Sequence, residues 1–417
     1  MRLLLLLGTL LLPTVASPCH FPAIFNFGDS NSDTGGLSAA FGPVPWPYGE
    51  TFFKMPAGRY SDGRLIIDFA GDHQRHAGSR RLQSLLLGRA AEAVLAAPAP
   101  FSSSVQTRYV SAVVACREQW QQSGSDPIKS SGGVFGHLMP KEEHFARALY
   151  MFDIGQNDLT ALYFQNASAT PYLSAAVKEL SRVVQVPTDN SEHVDRLVAC
   201  IPPTAIVLAQ KVYERGGRSF WIHNTGPLGC LPYVLVRVPA AAPRLDSSGC
   251  SILFNALAEQ FNTMLNETVA QLRKHLPLAS LILTDIYSVK YSLFRRAAMH
   301  GNSNTTTFCE VNLIAELSSS HACAMARFDR PLRACCGHGG GAYNFDADVW
   351  CGDTAEVDGT RVLLGKSCRK PRKTIVWDGA HYTEAANKWV FHHISGGEFS
   401  HPPVPLSMAC GKKTPTT

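Results

Sequence analysis

The stretch Ala23-Ile-Phe-Asn-Phe-Gly-Asp-Ser-Asn-Ser-Asp-Thr-Gly35 decides the fold. Its first five residues form an apolar run of strand length, and Gly28 stops it. The polar, turn-forming residues that follow put Gly28-Asp29-Ser30 at the C-terminal end of a buried strand. The same arrangement recurs along the chain. Ala148-Leu-Tyr-Met-Phe152 runs into Gly155-Gln156-Asn157, and Ser219-Phe-Trp-Ile-His223 runs into Asn224-Thr225-Gly226-Pro227. Ser280-Leu-Ile-Leu-Thr284 reads as a further strand. Helical spacing covers Ala205 to Arg215, stopped by Gly216-Gly217, and Phe254 to Leu276, closed by Pro277. Short apolar strands alternating with helices predict βαβ units, hence an α/β fold whose mostly parallel sheet is covered on both faces. In such sheets function collects at the C-terminal strand ends.

The 417 residues and 45.3 kDa are ample for a large core. Hydrophobic residues make up 45% and charged ones 17%, which excludes a disordered, charge-extended chain. Lys+Arg 38 against Asp+Glu 33 leaves a net +5, too small and too scattered to point to nucleic acid. Met1-Arg2, the apolar run Leu3 to Leu12, Pro13 and the small residues Val15-Ala16-Ser17 read as a secretory signal over 1–17, with 18–417 as a single domain. The apolar run is shorter than the roughly 20 residues a membrane span needs, and no later segment reaches that length. Twelve cysteines, an even number, read as disulfides in a secreted chain. Without a CxxC pair or an HExxH motif, no metal is expected. Asn166, Asn266 and Asn304 open N-glycosylation sequons.

The chemistry sits at two distant places. A serine after a strand-ending glycine, at the start of the next helix, would lie where free N–H groups favour developing negative charge. Its hydroxyl needs a general base to become a nucleophile. Near the other end stands Trp377-Asp378-Gly379-Ala380-His381-Tyr382-Thr383, preceded by Lys373 to Val376 as a short strand or extended arm. Asp378 and His381, three apart on a turn, let the carboxylate hold the imidazole's tautomer while its other nitrogen faces a serine. Asn157 offers a side-chain amide to an oxyanion. Each motif also has a plain structural reading. Gly-Asp-Ser suits a turn or helix cap, Asp378 an Asx-turn beside an exposed His381, and Asn157 a turn asparagine.

Together these blocks resemble the GDSL or SGNH hydrolase family, in its plant secreted esterase/lipase branch. The likeness is carried by Phe25 to Gly35, Gly58-Arg-Tyr-Ser-Asp-Gly-Arg-Leu-Ile-Ile-Asp68 and Phe152-Asp-Ile-Gly-Gln-Asn-Asp158. It continues in Asn224-Thr-Gly-Pro-Leu-Gly-Cys230, Ala334-Cys-Cys-Gly-His-Gly-Gly340 and Trp377 to Asn387. The blocks come in the family's order. The resemblance implies a three-layer α/β/α, flavodoxin-like SGNH hydrolase fold and hydrolysis of carboxylic (acyl or acetyl) esters of small molecules, lipids or acylated sugars. It implies no cofactor and an extracellular place, in the apoplast or cell wall. It assigns Ser30 as nucleophile and first oxyanion donor, Asn157 as further donor, Asp378 as orienter and His381 as base. A non-catalytic secreted binding protein on the same scaffold and an acyltransferase are the rival expectations.

The resemblance breaks after Asp68. The family has a strand-forming block there whose glycine N–H serves the oxyanion hole. Here the text becomes Gly71-Asp-His-Gln-Arg-His-Ala-Gly78-Ser-Arg-Arg81. Residues 71–137 and 301–331 read as loops or insertions. Trp221, Trp377 and the aromatics near Tyr48 are expected in the core, with an acyl or sugar pocket as the alternative. The adjacent Cys335 and Cys336 suit disulfides better than a shared metal ion.

Overall fold

A computed structural model describes residues 18–76, 142–153, 155–157, 159–160, 209–210, 212–214, 216–237, 245–300 and 328–411. Its central sheet is built from the expected apolar runs. Strands β1 (Ile24–Gly28), β2 (Leu149–Asp153), β3 (Ser219–His223) and β4 (Ser280–Thr284) lie side by side in that order and run parallel. A short final strand, β7 (Ser400–His401), pairs antiparallel with β4. The chain also forms helices α1 (Gly36–Phe41), α2 (Ile66–His76), α3 (Glu142–Phe145), α4 (Pro232–Leu235), α5 (Ile252–His275), α6 (Ile286–His300) and α7 (Glu384–Ser395).

The register explains why both sheet faces need cover. Phe25, Tyr150, Phe220 and Leu281 form one cross-strand row, and Phe27, Phe152, Ile222 and Leu283 the next on the same face. Phe145 of α3 stacks on Phe25 at 4.9 Å. The opposite face carries Trp221 and, at its C-terminal end, Asp153, His223 and Thr284. Lys290 of α6 comes close enough to Asp153 on that face to act on it electrostatically. Helices on both sides of a mostly parallel sheet make this the three-layer α/β/α arrangement. Trp221 and Trp377 are wholly buried, so both are core residues. Trp221 Nε1 donates to Thr284 Oγ1 at 2.8 Å.

One element differs from expectation, a second falls on one of its two expected readings, and a third is a hairpin that was not anticipated. Gly71 to His76 continue α2, whose Phe69 stacks on Phe391 of α7. That helix therefore reaches into the stretch read as a loop, and residues 77–137 lie outside the described residues. Lys373 closes a 3₁₀ turn (Pro371–Lys373), and among the described residues Val376 bridges only Tyr382. The Lys373 to Val376 segment is an extended arm rather than a sheet strand. A hairpin, β5 (Thr354–Val357) with β6 (Thr360–Leu363), turns on Asp358 and Gly359, both at positive φ. Of the 301–331 stretch, only 328–331 are described.

The two ends of the described chain meet. Cys19 is bonded to Cys410, 391 residues away, and Cys19 N donates to Ser407 O. Closing so long a loop restricts the unfolded chain strongly. The double variant Cys19→Ser/Cys410→Ser should lose about 2–5 kcal/mol of stability. A fall in the denaturant midpoint, with the m-value rising as the released unfolded chain expands, checks this.

Candidate active site

The Ser30 turn is built by close approach. A Cβ on Gly28 would lie 2.5 Å from Ser32 Cβ and 3.0 Å from Asp153 O, so only glycine lets the chain fold back there. Ser32 N donates to Asp29 O, Asn31 N to Asp29 Oδ1, and Asn26 Nδ2 to Ser32 O. Ser32 Oγ donates to Asp153 Oδ2 at 2.9 Å, tying the turn to β2. Ser30 itself sits in this turn, six residues before α1. The expectation of a serine at a helix start is thus corrected. The physical reason is Asp33, whose carboxylate accepts from Gly35 N, Gly36 N and Leu37 N and so uses the free N–H groups of α1.

The C-terminal turn is held as firmly. Asp378 Oδ1 accepts from Ala380 N at 3.1 Å and His381 N at 3.0 Å. Trp377 N donates to His381 O, and Gly379 at φ +105 leaves room for the Phe345 ring. Behind it, Cys335 N donates to Val376 O and Cys336 N to Trp377 O. Disulfides Cys335–Cys368 and Cys336–Cys351 brace that strap. Ahead of it, Thr383 Oγ1 accepts from Ala386 N and caps α7.

A set of contacts brings this turn to the N-terminal blocks. Ser61 Oγ donates to Tyr382 O, Glu384 N to Asp62 Oδ1 and Asn387 Nδ2 to Arg64 O. Arg64 also pairs with Glu384 at 2.8 Å. The result joins residues 351 apart in sequence: His381 Nε2 lies 2.6 Å from Ser30 Oγ. His381 Nδ1 lies 2.8 Å and 2.7 Å from the two oxygens of Asp378. Burial alone would raise the Asp378 carboxyl. The facing His381, the Tyr48 hydroxyl and Ala380 N–H outweigh it and hold the group below the usual carboxylate range. The expected Asp–His–Ser line therefore exists as geometry, and His381 is buried rather than exposed.

Asn157 stands half-buried on the helical turn that follows β2. The neighbouring Gln156 Nε2 donates to Ala380 O at 3.2 Å, which joins that turn to the Asp378–His381 turn. Asn266 lies exposed on α5, whereas Asn166 and Asn304 lie outside the described residues.

Two features escaped the sequence reading. Tyr48 Oη donates to Asp378 Oδ2 at 2.6 Å, making Tyr48 a member of the site rather than a simple core aromatic. Beneath Ser30 lies an ionisable cluster of Asp29, Asp153, His223 and Lys290. Burial, then repulsion from Asp153, pushes the Asp29 carboxyl up to about 6. Burial lowers His223 to about 4 against the attraction of Asp153, and the Lys290 charge lowers it further. Burial also lowers Lys290, which sits over the Tyr382 ring at 4.4 Å. A polar residue ending an apolar strand, as in Phe152-Asp153 and Ile222-His223, was the available signal.

These two shifts act on stability with opposite sign between about pH 4 and 6. In that window the folded protein holds a proton on Asp29 that the unfolded chain releases, so this contribution falls as pH rises. The unfolded chain holds a proton on His223 that the folded protein excludes, so that contribution rises. Asp29→Asn should therefore make the slope of Tm against pH across the window more positive than in the wild type, and His223→Gln should make it more negative. Thermal scans of the two variants at several pH values check the signs.

Comparison with known proteins places the chain in a family. The family model GDSL-like Lipase/Acylhydrolase matches residues 24–394. The GDSL esterase/lipase ACHE of Zea mays is 42% identical over 409 residues, covering 94% of this chain and 89% of that protein. An Esterase of Hevea brasiliensis is 42% identical over 418 residues, covering 98% and 93%. Alpha-L-fucosidase 3 of Arabidopsis thaliana is 39% identical over 417 residues, covering 98% and 97%. With a mostly parallel sheet, a serine turn at the end of its first strand and nearly full-length relatives of this kind, the chain belongs to the GDSL-like lipase/acylhydrolase family and is a hydrolase of ester bonds.

Proposed function

We propose that the protein is a secreted serine esterase acting on carboxylic (acyl or acetyl) esters of small molecules, lipids or acylated sugars. Ser30 is the nucleophile, His381 the general base, Asp378 the group that orients it, and Ser30 N–H with the Asn157 amide the oxyanion donors. The 2.6 Å contact between Ser30 Oγ and His381 Nε2 carries this reading.

The reaction follows from that contact. As Ser30 Oγ attacks the ester carbonyl, its proton passes to His381 Nε2. Asp378 holds Nδ1–H and stabilises the imidazolium that forms. The carbonyl oxygen becomes an oxyanion and takes hydrogen bonds from Ser30 N–H and Asn157. The tetrahedral adduct collapses, the alcohol leaves with the proton from His381, and an acyl-Ser30 remains. Water then attacks the acyl group, gives its proton to His381, and the carboxylic acid departs as Ser30 Oγ recovers a proton. The protein's own side chains supply every proton transfer, so the scheme needs no cofactor.

The chain is read as a signal at 1–17 followed by one domain, 18–417. The Cys19–Cys410 bond supports one folding unit, and the four described disulfides support an oxidising compartment. The exposed Asn266 is free to carry a glycan.

Ser30→Ala should reduce hydrolysis of p-nitrophenyl acetate by about 10³-fold or more. Asn157→Ala should reduce kcat by about 10²–10³-fold with KM little changed. Purified protein assayed under initial-rate conditions checks both, and a Ser30→Ala variant as active as wild type would remove the nucleophile assignment.

A further inference from the structure

We infer that Tyr48 is a positioning residue of the ester-hydrolysing site, whose hydroxyl pins the second oxygen of Asp378 and sets the charge that His381 faces. The inference rests on the roles proposed for Ser30, His381 and Asp378.

The donors around Asp378 divide unequally. The imidazole Nδ1 lies against both oxygens; Oδ1 also takes Ala380 N–H and His381 N–H, both from its own turn, whereas Oδ2 takes only the Tyr48 hydroxyl in addition, among the described residues. The turn therefore fixes one end of the carboxylate, and Tyr48, 330 residues away, fixes the other. At 2.6 Å this is a charge-assisted hydrogen bond, the strong kind.

The phenol is itself packed and tethered. Its ring meets Tyr60 edge-on at 5.8 Å and Trp377 edge-on at 6.1 Å. Tyr48 N donates to Pro45 O, and the flanking chain is tied to the 61–62 segment by Gly49 N to Ser61 O and Thr51 N to Asp62 O. Tyr48 is buried, and burial followed by the Asp378 charge raises its hydroxyl well above the ordinary phenol. It remains a neutral donor throughout the range in which the site works.

The consequence has a sign. Tyr48 draws negative charge away from the carboxylate that His381 Nδ1 faces through both oxygens. Without the hydroxyl, the carboxylate turns more freely and shows more charge to the imidazole. The ring then holds its proton to higher pH, while its alignment with Ser30 loosens.

The groups facing this pair are Tyr60, which packs on the His381 ring at 5.2 Å, Trp377 and Ser30. Asp29 also acts on His381, and Asp33 and Asp353 act electrostatically on Tyr60 and Tyr48. None of these donates to Asp378 Oδ2, so none replaces the phenol.

The test is Tyr48→Phe, compared with wild type and Ser30→Ala, in kcat and KM for p-nitrophenyl acetate across pH. Tyr48→Phe should lower kcat about 5–20-fold with KM within twofold, and move the acid limb of the kcat/KM profile up by about half a unit. A second variant carries 3-fluorotyrosine at position 48, which keeps the ring and strengthens the donor. It should move the limb down and keep kcat within threefold. Unchanged limbs in both variants would overturn the inference. If Tyr48→Phe unfolds, the fluorinated protein alone decides between the two outcomes. An unshifted profile beside an inactive Ser30→Ala removes the role of Tyr48 alone, whereas an active Ser30→Ala removes the nucleophile reading beneath it.

Discussion

The structure depends on a seam between residues 61–64 and residues 382–387. Four polar contacts cross it: Ser61 to Tyr382 O, Glu384 N to Asp62, Asn387 to Arg64 O, and the Arg64–Glu384 pair. All lie in buried or half-buried ground, where an unmade hydrogen bond costs more than a made one yields. The seam cannot slide by a residue without leaving several such groups unpaired. It therefore fixes how far the Asp378–His381 turn stands from the Ser30 turn, and the 2.6 Å approach of imidazole and hydroxyl follows from it.

Around that seam the molecule concentrates charge at the C-terminal end of the sheet. Asp153, His223 and Thr284 occupy one register row there, with Lys290 coming down from α6. Such an arrangement is costly without compensation. Compensation comes from Ser32 on Asp153 and from the attraction of Lys290 to Asp153 and Asp29. His223 is kept neutral by burial. The site thus stands on a floor in which opposite charges and a neutral imidazole offset one another. The apolar half of the sheet, with Phe25, Tyr150 and Phe220 in one row, supplies the cohesion that tolerates it.

The sheet was legible because its strands are apolar runs that end in glycine or polar turns. β3 and β4 fall on Ser219–His223 and Ser280–Thr284 as read. The long α5 was legible from spacing and from Pro277. The three site motifs were legible as residue types, and their union was legible only through the family resemblance, not from local pattern. Nothing local in Gly28-Asp29-Ser30 says that Asp33 will take the N–H groups of α1. The Tyr48–Asp378 bond spans 330 residues, and periodicity carries no information over that distance. The β5–β6 hairpin was missed although Asp358-Gly359 between short strands is a turn signal. Its residues are mostly exposed, so the apolar alternation that would have drawn attention to it is absent.

The paired cysteines behind Asp378 carry one more consequence. Cys335 and Cys336 each hold a main-chain carbonyl of the residues just before the carboxylate, and each is anchored by its own covalent link to a different loop. Because the two links leave adjacent residues towards Cys368 and Cys351, opening either one still leaves the backing segment tethered at a single point. The backing of the site therefore degrades in steps as reductant is added, and its full rigidity is reached only by a chain that has completed oxidative maturation.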